Sequence, residues 1–90
     1  MKVFAIYGTP CRDLEGIWRK EFLEVESFLE AIQISLEKIG YTEVDEDTIK
    51  EWFEEEREGV YSFNDDCGIF AYVGEDRDKV LEVYIDSLPF

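Results

Sequence analysis

The segment from Ser27 to Gly40 carries the strongest structural signal in this chain of 90 residues. Ser27 and Glu30 have the spacing of a capping box, in which side chains satisfy backbone N–H groups at the start of a helix. Gly40 is suited to the left-handed conformation that ends a helix. Between them, apolar residues recur with a 3.6-residue period at Phe28, Leu29, Ile32, Leu36 and Ile39. The pattern predicts an amphipathic helix.

Runs rich in β-forming residues flank this helix. Residues Lys2–Tyr7 are nearly all apolar and stop at Gly8, so they predict an interior strand. Residues Gly16–Leu23 mix aromatic, β-branched and charged residues, and we interpret them as a second strand paired with the first. Val60–Phe63 and Ile69–Val73 are separated by turn-forming residues and predict a β-hairpin.

A second helix is predicted from about Asp47 to Arg57. Asp45 or Asp47 would cap its start, and Gly59 would follow its end. The buried face of this short helix would consist of Ile49, Trp52 and Phe53.

The last segment, Lys79–Asp86, fits two structures. Leu81, Val83 and Ile85 alternate as in a strand. A helical face would instead contain Val80, Leu81, Tyr84, Ile85 and Leu88. Enrichment in β-branched and aromatic residues favours the strand, and the helix remains the alternative.

Together these elements predict a single α+β domain over residues 1–90, with an antiparallel sheet of four or five strands and the two helices packed on one face. A hydrophobic fraction of 46%, including 16% aromatic residues, is too high for a disordered acidic tail. No apolar run approaches the ~20 residues of a membrane span, and the start lacks signal-peptide features, so we expect a soluble, cytoplasmic protein. Cys11 and Cys67 are far apart, and we expect reduced thiols.

The net charge is −14, and the stretch from Glu43 to Glu58 holds half of it, with nine carboxylates and two cations. Charges of one sign repel each other and oppose compaction, and such an excess usually accompanies a partner of opposite charge. This charge is the opposite of a footprint for nucleic acid or an anionic membrane. We therefore expect a basic protein as the partner, with no direct binding to nucleic acid or membrane.

Carboxylates on the predicted second helix share an arc of about 100°, away from its apolar side. They are Asp47, Glu51, Glu54, Glu55 and Glu58. Like-charged i, i+4 pairs each cost roughly 0.2–0.5 kcal/mol, and carboxylates in the last turn oppose the helix dipole. Features that oppose local stability often mark functional surfaces. The predicted binding surface would extend to Asp65 and Asp66 in the hairpin turn, although each of these also fits ordinary turn chemistry.

Catalytic and metal-binding motifs are not evident. The chain has no histidine, the commonest general base and zinc ligand. A calcium loop from Asp45 to Glu56 fails at Ile49, where an oxygen ligand is needed, and at Lys50, where the turn needs glycine. Cys11 has no imidazole to activate it. We expect no enzymatic activity, no metal site and no cofactor.

In size and charge the chain resembles the nucleic-acid mimics of phages and mobile elements, such as anti-restriction and anti-CRISPR proteins. The resemblance rests on composition and transfers no residue roles. It implies a non-enzymatic inhibitor whose acidic surface occupies a basic nucleic-acid-binding groove of another protein. The alternatives are an intracellular immunity protein, antitoxin or acidic adaptor that binds a basic protein without mimicry, and a domain whose charge serves only solubility. A monomer and a homodimer are both compatible with the sequence.

Overall fold

A computed structural model describes residues 1–9, 17–40, 45–53, 56–64 and 68–87. For a few residues inside these ranges only the backbone is described, namely Ile17, Trp18, Glu46, Trp52 and Phe53. The elements are β1 (Lys2–Thr9), β2 (Ile17–Glu24), α1 (Phe28–Lys38), α2 (Glu46–Phe53), β3 (Glu56–Arg57), β4 (Val60–Asn64), β5 (Phe70–Gly74) and α3 (Arg77–Ser87). Across these residues, no helix is long and apolar enough to cross a membrane.

The five strands form one antiparallel sheet in the order β2-β1-β5-β4-β3. The predicted α+β class and antiparallel sheet are therefore confirmed. The predicted pairing of the first two strands is confirmed with Phe4 opposite Phe22, and the predicted hairpin with Ser62 opposite Tyr72. The first strand lies in the interior of the sheet, as its apolarity indicated.

Both faces of the sheet are covered by helices. Val3, Ala5 and Tyr7 of β1 join a core cluster with α1 and α2. Phe4 and Ile6, on the opposite face of the same strand, join a second cluster with α3. The two predicted helices thus share one face, as expected, and a third helix covers the other. Burial on both faces explains why β1 is almost continuously apolar.

Helix α1 has the ends that the sequence predicted. The Ser27 hydroxyl accepts a hydrogen bond from the Glu30 N–H at 3.1 Å, and the Glu30 carboxylate accepts from the Glu26 N–H at 2.9 Å. Gly40 has a φ of 83°, and its N–H donates to the Glu37 carbonyl at 2.9 Å. The capping box and the glycine stop are both confirmed, although the reciprocal bond reaches Glu26 and not Ser27.

The second predicted helix is shorter than expected. It starts after Asp45, whose carboxylate accepts from the Asp47 N–H at 3.0 Å, but it ends at Phe53 and not at Arg57. Residues 56–57 pair instead with β4, so that Glu56 lies opposite Tyr61. If residues 56–57 had continued the helix, its last turn would have carried carboxylates that repel each other. Pairing with β4 avoids this arrangement.

The last segment is a helix, so its prediction as a strand was wrong. Asp76 caps α3 by accepting from the N–H groups of Asp78 at 2.9 Å and Lys79 at 3.3 Å. Val80 and Val83 are buried against the sheet. The apolar face of the sheet that carries Phe4 and Ile6 needs cover, and this tertiary burial outweighs the β-propensity of the segment.

Candidate protein-binding surface

Asp47 and Glu51 project from α2 on the side opposite Ile49. Ile49 is 2% exposed and anchors the helix in the core, whereas both carboxylates are exposed. Neither carboxylate forms an ion pair with any residue that the structure describes. These two members of the predicted site therefore share one exposed face of the helix.

Glu58 does not belong to that face, contrary to the prediction. It lies in the two-residue turn between β3 and β4, with a φ of 52°, and is followed by Gly59 with a φ of 84°. Positive φ at both central residues is the pattern of a type I′ hairpin turn, which favours Asn, Asp and Gly. The expected row of five carboxylates on one helix is therefore wrong.

Four other predicted site residues lie outside the described residues, so their positions stay predictions. They are Glu54, Glu55, Asp65 and Asp66.

Lys79 of α3 joins the Glu58 turn to a second carboxylate. Its Nζ lies 3.6 Å from the Glu58 carboxylate and 3.5 Å from that of Glu82. The negative charge of Glu58, followed by that of Glu82, raises the pKa of Lys79 above its usual range. The charged ammonium group links the turn to α3.

A second ion pair lies at the same end of the sheet. Arg57 of β3 donates to the Asp86 carboxylate of α3 at 3.1 Å. Glu56 accepts from the Gly59 N–H at 3.1 Å and from the Tyr61 hydroxyl at 3.4 Å. We call the exposed carboxylates at this end the acidic edge: Glu56, Glu58, Glu82 and Asp86.

The acidic edge remains negative after its ion pairs are counted. Glu58, Glu82 and Asp86 contact the two cations Arg57 and Lys79, whereas Glu56 bonds to the Gly59 N–H and the Tyr61 hydroxyl. Four carboxylates and two cations leave a local charge of −2. Glu82 and Asp86 were not among the site residues predicted from the sequence. A helical interpretation of residues 79–86 would have placed them on one flank, because they are four residues apart.

An open groove of about 310 Å³ lies between α3 and the part of the sheet formed by β3, β4 and β5. Polar side chains line it, among them Ser62, Asn64, Tyr72 and Ser87. The Tyr72 hydroxyl lies 3.0 Å from the Asn64 amide oxygen and 2.7 Å from the Ser87 hydroxyl, which itself donates to the Tyr84 carbonyl at 2.7 Å. These groups bind one another and tie β4, β5 and α3 together behind the acidic edge.

The candidate surface therefore has two parts on different layers of the fold. Asp47 and Glu51 belong to the layer formed by α1 and α2, whereas Glu58 contacts α3 on the other side of the sheet. Within the described ranges, no cluster of three or more potential metal-ligating side chains occurs.

Comparison with known proteins gives no match to a protein-family model, a curated protein or a solved structure. The functional inference accordingly rests on the residues of this chain.

Proposed function

We propose that this chain is a non-enzymatic inhibitor that acts in the cytoplasm by occupying a basic, nucleic-acid-binding groove of a partner protein. The observation that supports it is an excess of exposed carboxylates over cations on α2 and at the acidic edge. Asp47 and Glu51 have no ion pair in the described residues, and the acidic edge keeps a charge of −2. Such a surface steers a basic partner towards it and discriminates against acidic ones.

The spacing on α2 is compatible with replacement of phosphates. Asp47 and Glu51 are four residues apart on a helix, a rise of ~6 Å at ~1.5 Å per residue. Two phosphate steps along one DNA strand rise ~7 Å along the duplex axis at ~3.4 Å each. The two carboxylates have a similar axial rise, so arginine and lysine side chains of a phosphate-binding groove could bind them, and the bound protein would block the groove.

The backbone at Glu58 supports a functional role for its charge. A left-handed conformation costs a residue with a Cβ roughly 1–2 kcal/mol, which glycine avoids. Glutamate is therefore a poor choice for the stability of this turn. A role for its carboxylate in binding gives a physical reason for its presence, since strained positions concentrate at functional sites.

A second candidate is supported by the division of the charge between two layers. A partner that contacts both α2 and the acidic edge would have to wrap around the β3 end of the sheet. That arrangement suits a shaped basic surface, as in the binding of an acidic immunity protein, antitoxin or adaptor, better than a groove that follows one regular phosphate row.

The proposal can be tested by affinity capture with the immobilised protein. Extract from the organism that encodes the chain would be applied at low salt, and retained proteins would be identified by mass spectrometry. The test variant is Asp47→Asn/Glu51→Gln. The matched control is Glu26→Gln/Glu37→Gln, which removes the same charge from exposed positions near and on α1. A further variant, Glu82→Gln/Asp86→Asn, tests the acidic edge.

Mimicry predicts that a nucleic-acid-binding protein is retained by the wild type and the control, is retained poorly by the α2 variant, and is eluted by nucleic acid. Elution by salt but not by nucleic acid would favour the second candidate. Retention that is equal for all the variants would contradict both, because neither acidic surface would then contribute to binding.

A further inference from the structure

Strand β2 leaves its outer edge unpaired within the part of the chain that the structure describes. It stands at one end of the sheet, where its described neighbour is β1. It is eight residues long, whereas the strand at the other end, β3, has two residues. A long edge strand offers a row of backbone donors and acceptors to another strand, and a very short one does not.

One hydrogen bond shows which residues of β2 present their backbone to the open edge. The Val25 N–H donates to the Met1 carbonyl at 2.9 Å, in line with the β1–β2 register. Hydrogen-bonded and non-hydrogen-bonded pairs alternate along antiparallel strands. The odd-numbered residues of β2 therefore bond to β1, and the even-numbered residues, including Lys20, Phe22 and Glu24, direct their N–H and C=O groups outwards.

The side chains of these same residues form a self-complementary pattern. Phe22 is 58% exposed, and its ring meets Phe4 edge-on at a centroid distance of 5.2 Å. Lys20 and Glu24 are exposed two residues away on either side, on the same face of the strand. An aromatic residue at the centre with opposite charges on its two sides can pair with an inverted copy of itself.

We propose that β2 pairs antiparallel with β2 of a second copy of this chain, about a two-fold axis at Phe22. In this register each Phe22 faces Phe22 of the partner subunit, and each Lys20 faces Glu24 of the partner subunit. Glu21 faces Leu23 of the partner subunit, so no like charges lie directly opposite each other. Aromatic pairs and opposite-charge pairs across antiparallel strands are both stabilising.

Two neighbouring registers are less favourable. A register centred on Lys20 places two ammonium groups opposite each other, and one centred on Glu21 places two carboxylates opposite each other. Glu21 is also engaged within its own subunit. Its carboxylate accepts hydrogen bonds from the Tyr7 hydroxyl and from Lys38, the latter at 2.9 Å.

The charge distribution also favours this edge for self-association. Within Ile17–Glu24 the two cations Arg19 and Lys20 balance the two carboxylates Glu21 and Glu24, although the whole chain carries −14. The acidic edge lies at the other end of the sheet. Two five-stranded sheets joined through β2 would keep their acidic edges at opposite ends. The dimer does not depend on the proposed function.

Sedimentation equilibrium of the full chain tests the dimer. The expected mass is about 21 kDa, twice the 10.6 kDa of one chain. Lys20→Glu alone and Glu24→Lys alone each place like charges opposite each other on both sides of the axis, and we expect each to raise the dimer Kd about tenfold or more. The double reversal Lys20→Glu/Glu24→Lys should restore dimerisation. Glu51→Lys makes the same charge change as Glu24→Lys at a distant helix and should leave the dimer intact.

Disulfide trapping tests the register. In a Cys11→Ser/Cys67→Ser background, Phe22→Cys places two thiols at a hydrogen-bonded pair with a Cα separation of about 5.5 Å, which is within disulfide range. Mild oxidation should cross-link it. Lys20→Cys should not cross-link, because its two copies would be ~14 Å apart along the strands.

A wild-type chain that stays monomeric at several hundred micromolar would overturn the proposal and leave the edge open to a strand of another protein. A dimer that withstands both single charge reversals and in which Phe22→Cys fails to cross-link would overturn it as well, because the interface would then lie elsewhere.

Discussion

The Nζ atom of Lys79 lies 3.6 Å from a carboxylate oxygen of Glu58, so a side chain of α3 is bound to the turn between β3 and β4. The neighbouring pair between Arg57 and Asp86, at 3.1 Å, crosses the same boundary. Solvent screens both ion pairs, because all four side chains are substantially exposed. The short edge strand β3 is therefore held by backbone pairing with β4 and by two partly screened ion pairs.

We expect Lys79→Gln to lower the free energy of unfolding, because Glu58 and Glu82 would lose the cation between them. The loss should shrink at high salt, and it should be smaller in a Glu58→Gln background. Urea denaturation of the wild type, the two single variants and the double variant gives the interaction free energy between Lys79 and Glu58. Lys2→Gln is the control, since it removes one exposed cation that forms no ion pair with the described part of the chain. Equal effects of the Lys79 and Lys2 substitutions would contradict this prediction.

Substitutions at Glu58 should separate backbone strain from charge. Glu58→Gly and Glu58→Ala remove the same carboxylate and the same contact with Lys79, but only glycine adopts a φ of 52° without strain. We expect the glycine variant to be more stable than the alanine variant by about 1 kcal/mol. Urea denaturation measures the difference. A more stable alanine variant would show that this turn is not left-handed in solution.

Gly74 should tolerate no side chain. A Cβ at this position would lie 2.9 Å from Cγ2 of Val80 and 3.1 Å from the carbonyl oxygen of Gly59. We expect Gly74→Ala to destabilise the protein by about 1–3 kcal/mol, as overpacking usually does. In a Val80→Ala background the penalty should fall but not vanish, because the contact with the Gly59 backbone remains. Chemical denaturation of the four proteins in this cycle tests both statements, and a neutral Gly74→Ala would contradict the close approach of β5 and the turn.

Local signals were sufficient for most of the fold. Ser27, Glu30 and Gly40 fix both ends of α1 through short-range hydrogen bonds, so they can be identified from the sequence. For α2, local signals determine the start of the helix but not its end. Asp45 caps the helix as expected, but whether residues 56–57 continue the helix or join a sheet depends on β4, which contributes the long-range pairing.

Whether residues 79–86 form a strand or a helix depends on the face of the sheet that they cover. Val80 and Val83 are compatible with either structure when residues 79–86 are considered alone. They become a helical face because Phe4, Ile6 and Tyr72 leave an apolar surface to be covered. These two wrong predictions, the end of α2 and the strand at residues 79–86, also affected the predicted site. Glu58 lies in a turn and not on a helix, and Glu82 on the flank of α3 was not predicted. Asp47 and Glu51 were predicted correctly as exposed residues of one helix because the local period alone determines them.

Stability should fall at alkaline pH through two partly buried tyrosines, Tyr61 and Tyr84. Burial, followed by the neighbouring Tyr72, raises the pKa of Tyr84, and desolvation with the Glu56 carboxylate raises that of Tyr61. Folding therefore favours the protonated phenols, and their stabilising contribution is complete below the unfolded pKa of about 10 and is lost as pH rises through the folded values. Urea denaturation at a series of pH values from about 9.5 upwards should show this loss. Tyr84→Phe should reduce the slope, and an unchanged slope in the Tyr61→Phe/Tyr84→Phe variant would contradict the assignment.

Salt should stabilise the free protein because its net charge of −14 is compensated by few ion pairs in the described residues. The screening length falls from about 30 Å at 0.01 M to about 8 Å at 0.15 M, so repulsion between α2 and the acidic edge weakens over this range. We expect the denaturation midpoint to rise from tens to hundreds of millimolar NaCl. The Asp47→Asn/Glu51→Gln variant should be more stable than the wild type at low salt and should gain less from added salt. A midpoint that is independent of salt in both proteins would mean that these carboxylates are already compensated within the fold.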